Sequence, residues 1–262
     1  MNYVDSHTHF DLCIEEGNDT VESLLGGMKD SNVAFAVHVA TETGGFQWAY
    51  DFARDNRRAG IRFALGIHPS SRADNNDLLY LTDFARNVLN SSDAPLLFGI
   101  GEAGLDYYRM RQPRDVQMRS FEYQADLARE LRLPLIVHSR DAMDDTISLL
   151  TAKAPARGIM HCFSGNSDVA RKVLDLGFYI SFAGNITYKS ATDIQDAARF
   201  VPLDRLLLET DAPFLTPVPF RGRQNRPGYV PHTYEYITEL RRESPGKITD
   251  SVYGNFMALC PA

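Results

Sequence analysis

The feature that most restricts the fold of this chain is an alternation. Short apolar, β-branched runs are followed repeatedly by longer amphipathic stretches. The runs are Tyr3–Val4, Val33–Ala40, Ile61–Ile67, Leu96–Ile100, Leu135–Val137, Gly158–Cys162, Phe178–Ser181 and Leu206–Leu208. The stretches between them carry helix signals. In SGNSDVARKVLDLGF, Ser167 suits the N-cap and Asp168 suits the first turn, where the helix dipole favours negative charge. Val169, Val173 and Leu176 follow helical spacing, and Gly177 suits the left-handed residue that ends a helix. Pro113 likewise opens a helix striped by Phe121, Ala125, Ala128 and Leu131, with Pro134 to stop it. Strand–helix alternation demands parallel strands joined by right-handed crossovers. Eight such units in 262 residues predict a single (β/α)8 TIM-like barrel over residues 1–262. An open doubly wound sheet would want a glycine-rich phosphate loop after an early strand, and LLGGMKD fits neither such pattern.

Composition excludes several classes. The chain is 44% hydrophobic and 23% charged, in the range of an ordinary globule. It has no apolar run of ~18 residues that would span a membrane. The start MNYVDSHTHF lacks the basic and apolar stretches of a signal peptide, so a cytosolic protein is expected. The net charge of −7 argues against broad coating of nucleic acid, though not against a locally basic cleft. Three cysteines (Cys13, Cys162 and Cys260) match no zinc or redox spacing and read as small apolar groups. Cys162, alternating with His161, is expected to face away from it. No obligate protein partner is evident.

Chemistry gathers where the strands end. His7 and His9 follow the first, His68 the third, Glu102 the fourth, His138 the fifth, His161 the sixth, and Glu209 and Asp211 the eighth. In a barrel these ends meet on one face, where active sites are built. Five of the seven histidines stand there. A lone His-x-His is weak evidence for a metal, but this clustering is not. Successive strand residues point to opposite faces, so His7 and His9 share one side, as do Glu209 and Asp211. Four histidines (His7, His9, His138, His161) and two carboxylates (Glu102, Asp211) exceed the needs of one catalytic ion that keeps a position open. They suit two divalent ions sharing a bridging carboxylate, with zinc, magnesium or manganese as candidates. His38 reads as a core or barrel-lining residue, His232 as a surface loop residue, and Trp48 and Tyr50 as core.

Arg221, Arg223 and Arg226 crowd the stretch PFRGRQNRPGYV after the last strand. Arg109 and Arg111 follow the fourth strand and Arg140 the fifth. Guanidinium forks match phosphate oxygens, so the set suggests an anionic substrate. Arg140, Arg221, Asn225 and His68 are the candidate substrate contacts, and Glu209 is placed behind the ligands, orienting them.

With these residues assembled, the chain resembles the TatD-type metal-dependent deoxyribonuclease family. The likeness runs nearly end to end: DSHTHF, GIHP, GEAGLDYY, LPLIVHSRDA, MHCFSG, LLLETDAPFL, RGRQNRP and NFMALC. It implies a TIM-like barrel of the metallo-dependent hydrolase superfamily and hydrolysis of DNA phosphodiesters, often exonucleolytic. It implies that His7, His9 and Asp211 hold one ion, His138 and His161 the second, and that Glu102 bridges them. Family members often carry RGK-x-N-E-P in the late loop. Here Arg226 takes the acidic place, and Phe220 stands where His or Tyr is common. The expected reaction is attack of an ion-activated water on phosphorus, with Asp211 as general base, on DNA that is single-stranded or has free ends. The competing expectation is another ester, amide or phosphomonoester hydrolase, such as an aminoacyl-tRNA deacylase. A non-catalytic metal-binding module is a third.

Overall fold

Eight strands run parallel in the order of the chain, each hydrogen-bonded to the next. They are β1 (Tyr3–Thr8), β2 (Val33–Ala40), β3 (Ile61–Leu65), β4 (Leu97–Asp106), β5 (Leu135–Arg140), β6 (Gly158–Met160), β7 (Tyr179–Phe182) and β8 (Leu206–Leu208). The structure is a computed structural model that describes residues 2–17 and 19–261. The ring is nearly closed. Past the end of β8, Asp211 N donates to His7 O at 3.0 Å and His9 N to Ala212 O at 2.8 Å. Helices fill the crossovers, as the alternation predicts for a (β/α)8 barrel.

Three strands, β1, β4 and β5, run past the ends that the sequence predicts, whereas β3 and β6 stop two residues short. The apolar runs place the ends of β1, β4 and β5 at Val4, Ile100 and Val137. Ladder pairing belongs to the backbone, however, and continues while a partner strand lies alongside. β4 therefore runs on through Gly101-Glu102-Ala103-Gly104, residues of poor strand propensity. β5 holds it there, with Ala103 opposite Val137, Gly104 opposite His138 and Asp106 opposite Arg140. As a result His7, Glu102 and His138 lie inside strands rather than beyond them. β6 is shorter than expected, ending at Met160, because Cys162 turns the chain with φ +44°.

Helix signals need small corrections. The helix Ser167–Asp175 is capped by Asn166, not Ser167. The Asn166 Oδ1 accepts from both Asp168 N and Val169 N at 3.1 Å. Gly177 is left-handed at φ +81°. The helix Arg114–Leu131 closes on a left-handed Arg132, two residues ahead of Pro134. His232 sits in the first turn of the helix Val230–Arg241, not in a loop, because Pro231 opens that helix.

Beneath the strands, Phe98 stacks on Phe256 with ring centres 5.1 Å apart. Tyr234 fixes β1 from the side: its hydroxyl donates to Val4 O at 3.0 Å and accepts from Val4 N at 3.2 Å. Both contacts hold the strand that carries His7. Among the described residues, no helix is long and apolar enough to cross a membrane.

Candidate metal centre

Six side chains from five strands meet at the C-terminal mouth. His7 Nε2 lies 3.3 Å from His9 Nε2, and the pair stands 3.8 and 3.5 Å from Asp211 Oδ1. Glu102 divides its two oxygens. Oε2 faces His7 at 3.4 Å and His9 at 3.8 Å. Oε1 faces His138 Nδ1 at 2.7 Å, His161 Nε2 at 3.1 Å and His68 Nε2 at 3.6 Å. Metal–ligand bonds of about 2.0–2.2 Å place neighbouring donor atoms about 3.0–3.5 Å apart. The observed spacings and the nitrogen and oxygen donors therefore fit divalent ions. Among the described residues, four sets of donor atoms lie within 4.8 Å of one another: His7-His9-Asp211, His7-Glu102-His161, His68-Glu102-His138 and His161-Cys162-Glu209.

Hydrogen bonds behind the rings decide which nitrogen is free. His9 Nδ1 donates to Val39 O at 2.8 Å, leaving its Nε2 lone pair toward the centre. His161 Nδ1 bonds Glu209 Oε1 at 2.8 Å, with the same result. His138 is turned the other way. Its Nε2 lies 3.5 Å from Asp106 Oδ2, so Nδ1 is the nitrogen offered to Glu102 and an ion. His68 differs in kind. Its Nδ1 accepts from Ser70 N at 3.0 Å, which puts the proton of the neutral ring on Nε2. His68 thus presents a donor, suited to a carboxylate or a phosphate oxygen rather than to a cation.

The charges hold one another in place. Burial opposes ionisation of Glu102, yet His161, His68 and His138 keep its carboxyl well below the ordinary range. Burial also opposes charge on His9, but Asp211 and Glu102 raise it to about 9. His161 is likewise raised against its burial by Glu209 and Glu102. Burial pushes His68 down to about 3, so it is neutral. Ions entering this cluster would displace protons from His9 and His161.

Two carboxylates went unnoticed in the sequence. Asp106 supports His138, and Asp5 ties the first and last strands together. Asp5 Oδ1 accepts from His7 N at 3.3 Å and Thr210 N at 2.9 Å, and its Oδ2 accepts from the Thr210 hydroxyl at 2.6 Å. Burial outweighs these bonds and pushes its carboxyl up to about 8. Asp5 was legible only as part of D-S-H-T-H. Asp106 lies four residues after Glu102, a spacing that means nothing until β4 is seen to continue that far.

Several expectations change. Cys162 does not face away into the core. It is half-buried, and its thiol lies with His161 and Glu209 because period two ends where β6 ends. Its amide donates to Glu209 Oε1 at 2.8 Å. Asn225 is fully buried, and both amide hydrogens are committed, to Thr210 O at 2.9 Å and Phe214 O at 2.6 Å. It braces the loop that carries Asp211 and has no donor left for a substrate. Arg226 bonds the buried Asp19 at 3.0 Å, so it anchors the late loop. Arg140 and Arg221 remain without a carboxylate partner among the described residues and lie over Tyr108 and Tyr188, at 4.0 and 4.3 Å. His38 is buried, its Nδ1 accepting from Phe10 N at 3.2 Å. Trp48, read as core, is instead exposed at 37%, because only one face of its ring stacks on Phe52.

Asn225→Ala is expected to cost about 2–4 kcal/mol of stability, because it strips two buried carbonyls of their donor. Denaturant unfolding checks this. A loss below about 0.5 kcal/mol would mean that water or a shifted loop replaces the amide.

Comparison with known proteins adds an independent line. The sequence profile described as TatD related DNase matches residues 4–260. Over 262 residues the chain is 37% identical to the "uncharacterized metal-dependent hydrolase YcfH" of Escherichia coli strain K12, covering 99% of this chain and 96% of that one. Over 253 residues it is 36% identical to the "uncharacterized metal-dependent hydrolase TatD" of Mycobacterium tuberculosis strain H37Rv, covering 94% and 92%. Its fold superposes on the crystal structure of YJJV, a TatD homologue from Escherichia coli K12, with a TM-score of 0.90 at 30% identity, covering 98% and 97%.

Proposed function

The chain belongs to the TatD related DNase family and is a metal-dependent hydrolase, and from that premise we propose that it cleaves DNA phosphodiester bonds from a free end. The observation that carries the proposal is the division of Glu102. One oxygen faces the His7–His9 side and the other faces His138 and His161, as a carboxylate shared by two ions must. His7, His9 and Asp211 would hold one ion and His138 and His161 the other. Bound there, the ions supply Lewis acidity to the phosphoryl oxygens and lower the pKa of water.

The protein's own groups do the rest. Asp211 is the more open of the two ligand carboxylates, its side chain 14% exposed against 4% for Glu102. It is therefore the group able to reach the attacking water and accept its proton. Glu209, fully buried, holds the His161 ring through Nδ1, so that Nε2 is the nitrogen an ion would take on displacing its proton. His68 donates through Nε2 to a phosphate oxygen. Arg140 and Arg221, free of carboxylates, bind the flanking phosphates. Contacts of this kind are to backbone, so little sequence preference is expected.

The test is a gel assay of end-labelled single-stranded DNA with added Mg²⁺ or Mn²⁺, with and without chelator, beside RNA, phosphomonoesters and an aminoacyl-tRNA. The expected result is a chelator-sensitive ladder shortening from one end. Intact DNA alongside chelator-sensitive release from one of the other esters would assign the same centre to that substrate instead.

A further inference from the structure

Beyond the ligands and arginines, the mouth holds an aromatic ring that the core does not use. Phe214 follows Asp211 by three residues and is 40% exposed. Among the described residues it belongs neither to the hydrophobic core nor to the apolar side chains packed against it. Its ring centre lies 6.4 Å from that of His9, at 65°. An exposed phenyl gains nothing from water, and this one is held out firmly. Phe214 N donates to Asp211 O at 2.9 Å, and Phe214 O accepts from the buried Asn225 amide at 2.6 Å. Asn225 N in turn donates to Pro213 O at 3.1 Å. The backbone that carries the ring is thus held in place, with the ring beside His9.

Two further aromatic rings stand around the same mouth. Tyr108, after β4, lies under Arg140. Tyr188, after β7, lies under Arg221 and is tied down by its hydroxyl, which donates to Thr216 O at 2.9 Å. Each guanidinium rests on a ring face, which orients it without neutralising it. Arg140 ends β5 and Arg221 lies in the loop after β8, and the exposed Phe214 ring stands beside the ligand His9.

We infer that Phe214 is a base-stacking platform for the nucleotide next to the cleaved bond, which takes that base unpaired. This rests on the nuclease reading above and narrows it. A base inside a duplex has both faces covered, whereas an unpaired one can lie on the ring. Stacking of this kind tolerates any base, since every base has a π-face. Phe214 is a positioning residue; it touches neither ion nor proton.

The test uses a short single strand with 2-aminopurine at its end and phosphorothioate linkages that resist cleavage, titrated with the metal-loaded protein. On the wild type the fluorescence should be quenched by stacking. Phe214→Ala should abolish the quenching and weaken binding by about 10-fold or more, the effect of one lost base–aromatic stack. Phe214→Trp should restore both. Absent quenching on the wild type, or unchanged quenching and affinity in Phe214→Ala, overturns the inference. The nuclease reading is scored separately, by whether the wild type cuts the unmodified strand. Cleavage with an inert Phe214 sinks the platform alone, and stacking without cleavage sinks the nuclease alone.

Discussion

Replacing Glu102 with alanine is expected to empty the centre. Metal content should fall from about two ions per chain to one or fewer, and hydrolysis should drop by about three powers of ten or more. The size follows from what the carboxylate does. It faces five histidines through two oxygens and neutralises the ions it would bridge. Ions of this kind contribute several kcal/mol of transition-state stabilisation, and each 1.4 kcal/mol is tenfold in rate. Metal analysis of dialysed protein and a chelator-controlled rate on the best substrate measure the two effects. Glu102 is also buried among imidazoles, so the unfolding midpoint of the variant should be read with and without added metal. A folded Glu102→Ala protein that keeps both ions and its rate would end the shared-carboxylate account.

The second large effect is expected at a glycine. A Cβ on Gly104 would lie 1.9 Å from the His138 carbonyl oxygen, and the residue sits at φ +151°. No rotamer escapes that clash, because both parties are backbone. β4 and β5 would have to part where they carry Glu102 and His138. Gly104→Ala should cost about 3–5 kcal/mol, which lowers the melting temperature by roughly 6–20 °C in a chain of this size. It should also weaken metal binding on the His138 side. Gly177→Ala is the control. It too has positive φ, at +81°, but nothing lies within 4 Å of the added Cβ. Only its backbone conformation is penalised, by about 1–2 kcal/mol. Equal melting temperatures for the two variants would mean that the strands can slide apart without loss.

The sequence by itself determined the number of strands, their parallel order and which histidines and acids gather at the strand ends. Alternation of apolar runs with helical stripes is imposed by local backbone physics, and eight alternations leave one economical closure. The histidines and acids were legible for a related reason: polar groups that end apolar strands must all emerge on the same face. Strand lengths were not legible. Whether Gly101–Gly104 is strand or loop depends on β5 lying alongside, which no local propensity encodes. Only the tertiary structure separated His68, a donor, from His9, His161 and His138: the second nitrogen of each of those three meets a group from another strand or loop, whereas that of His68 is taken by Ser70 N in its own loop. It alone moved Asn225 from the substrate to the scaffold, turned Cys162 toward the site, and left Phe214 bare beside His9. Such facts depend on what stands opposite a side chain in space, and a one-dimensional pattern carries no record of that.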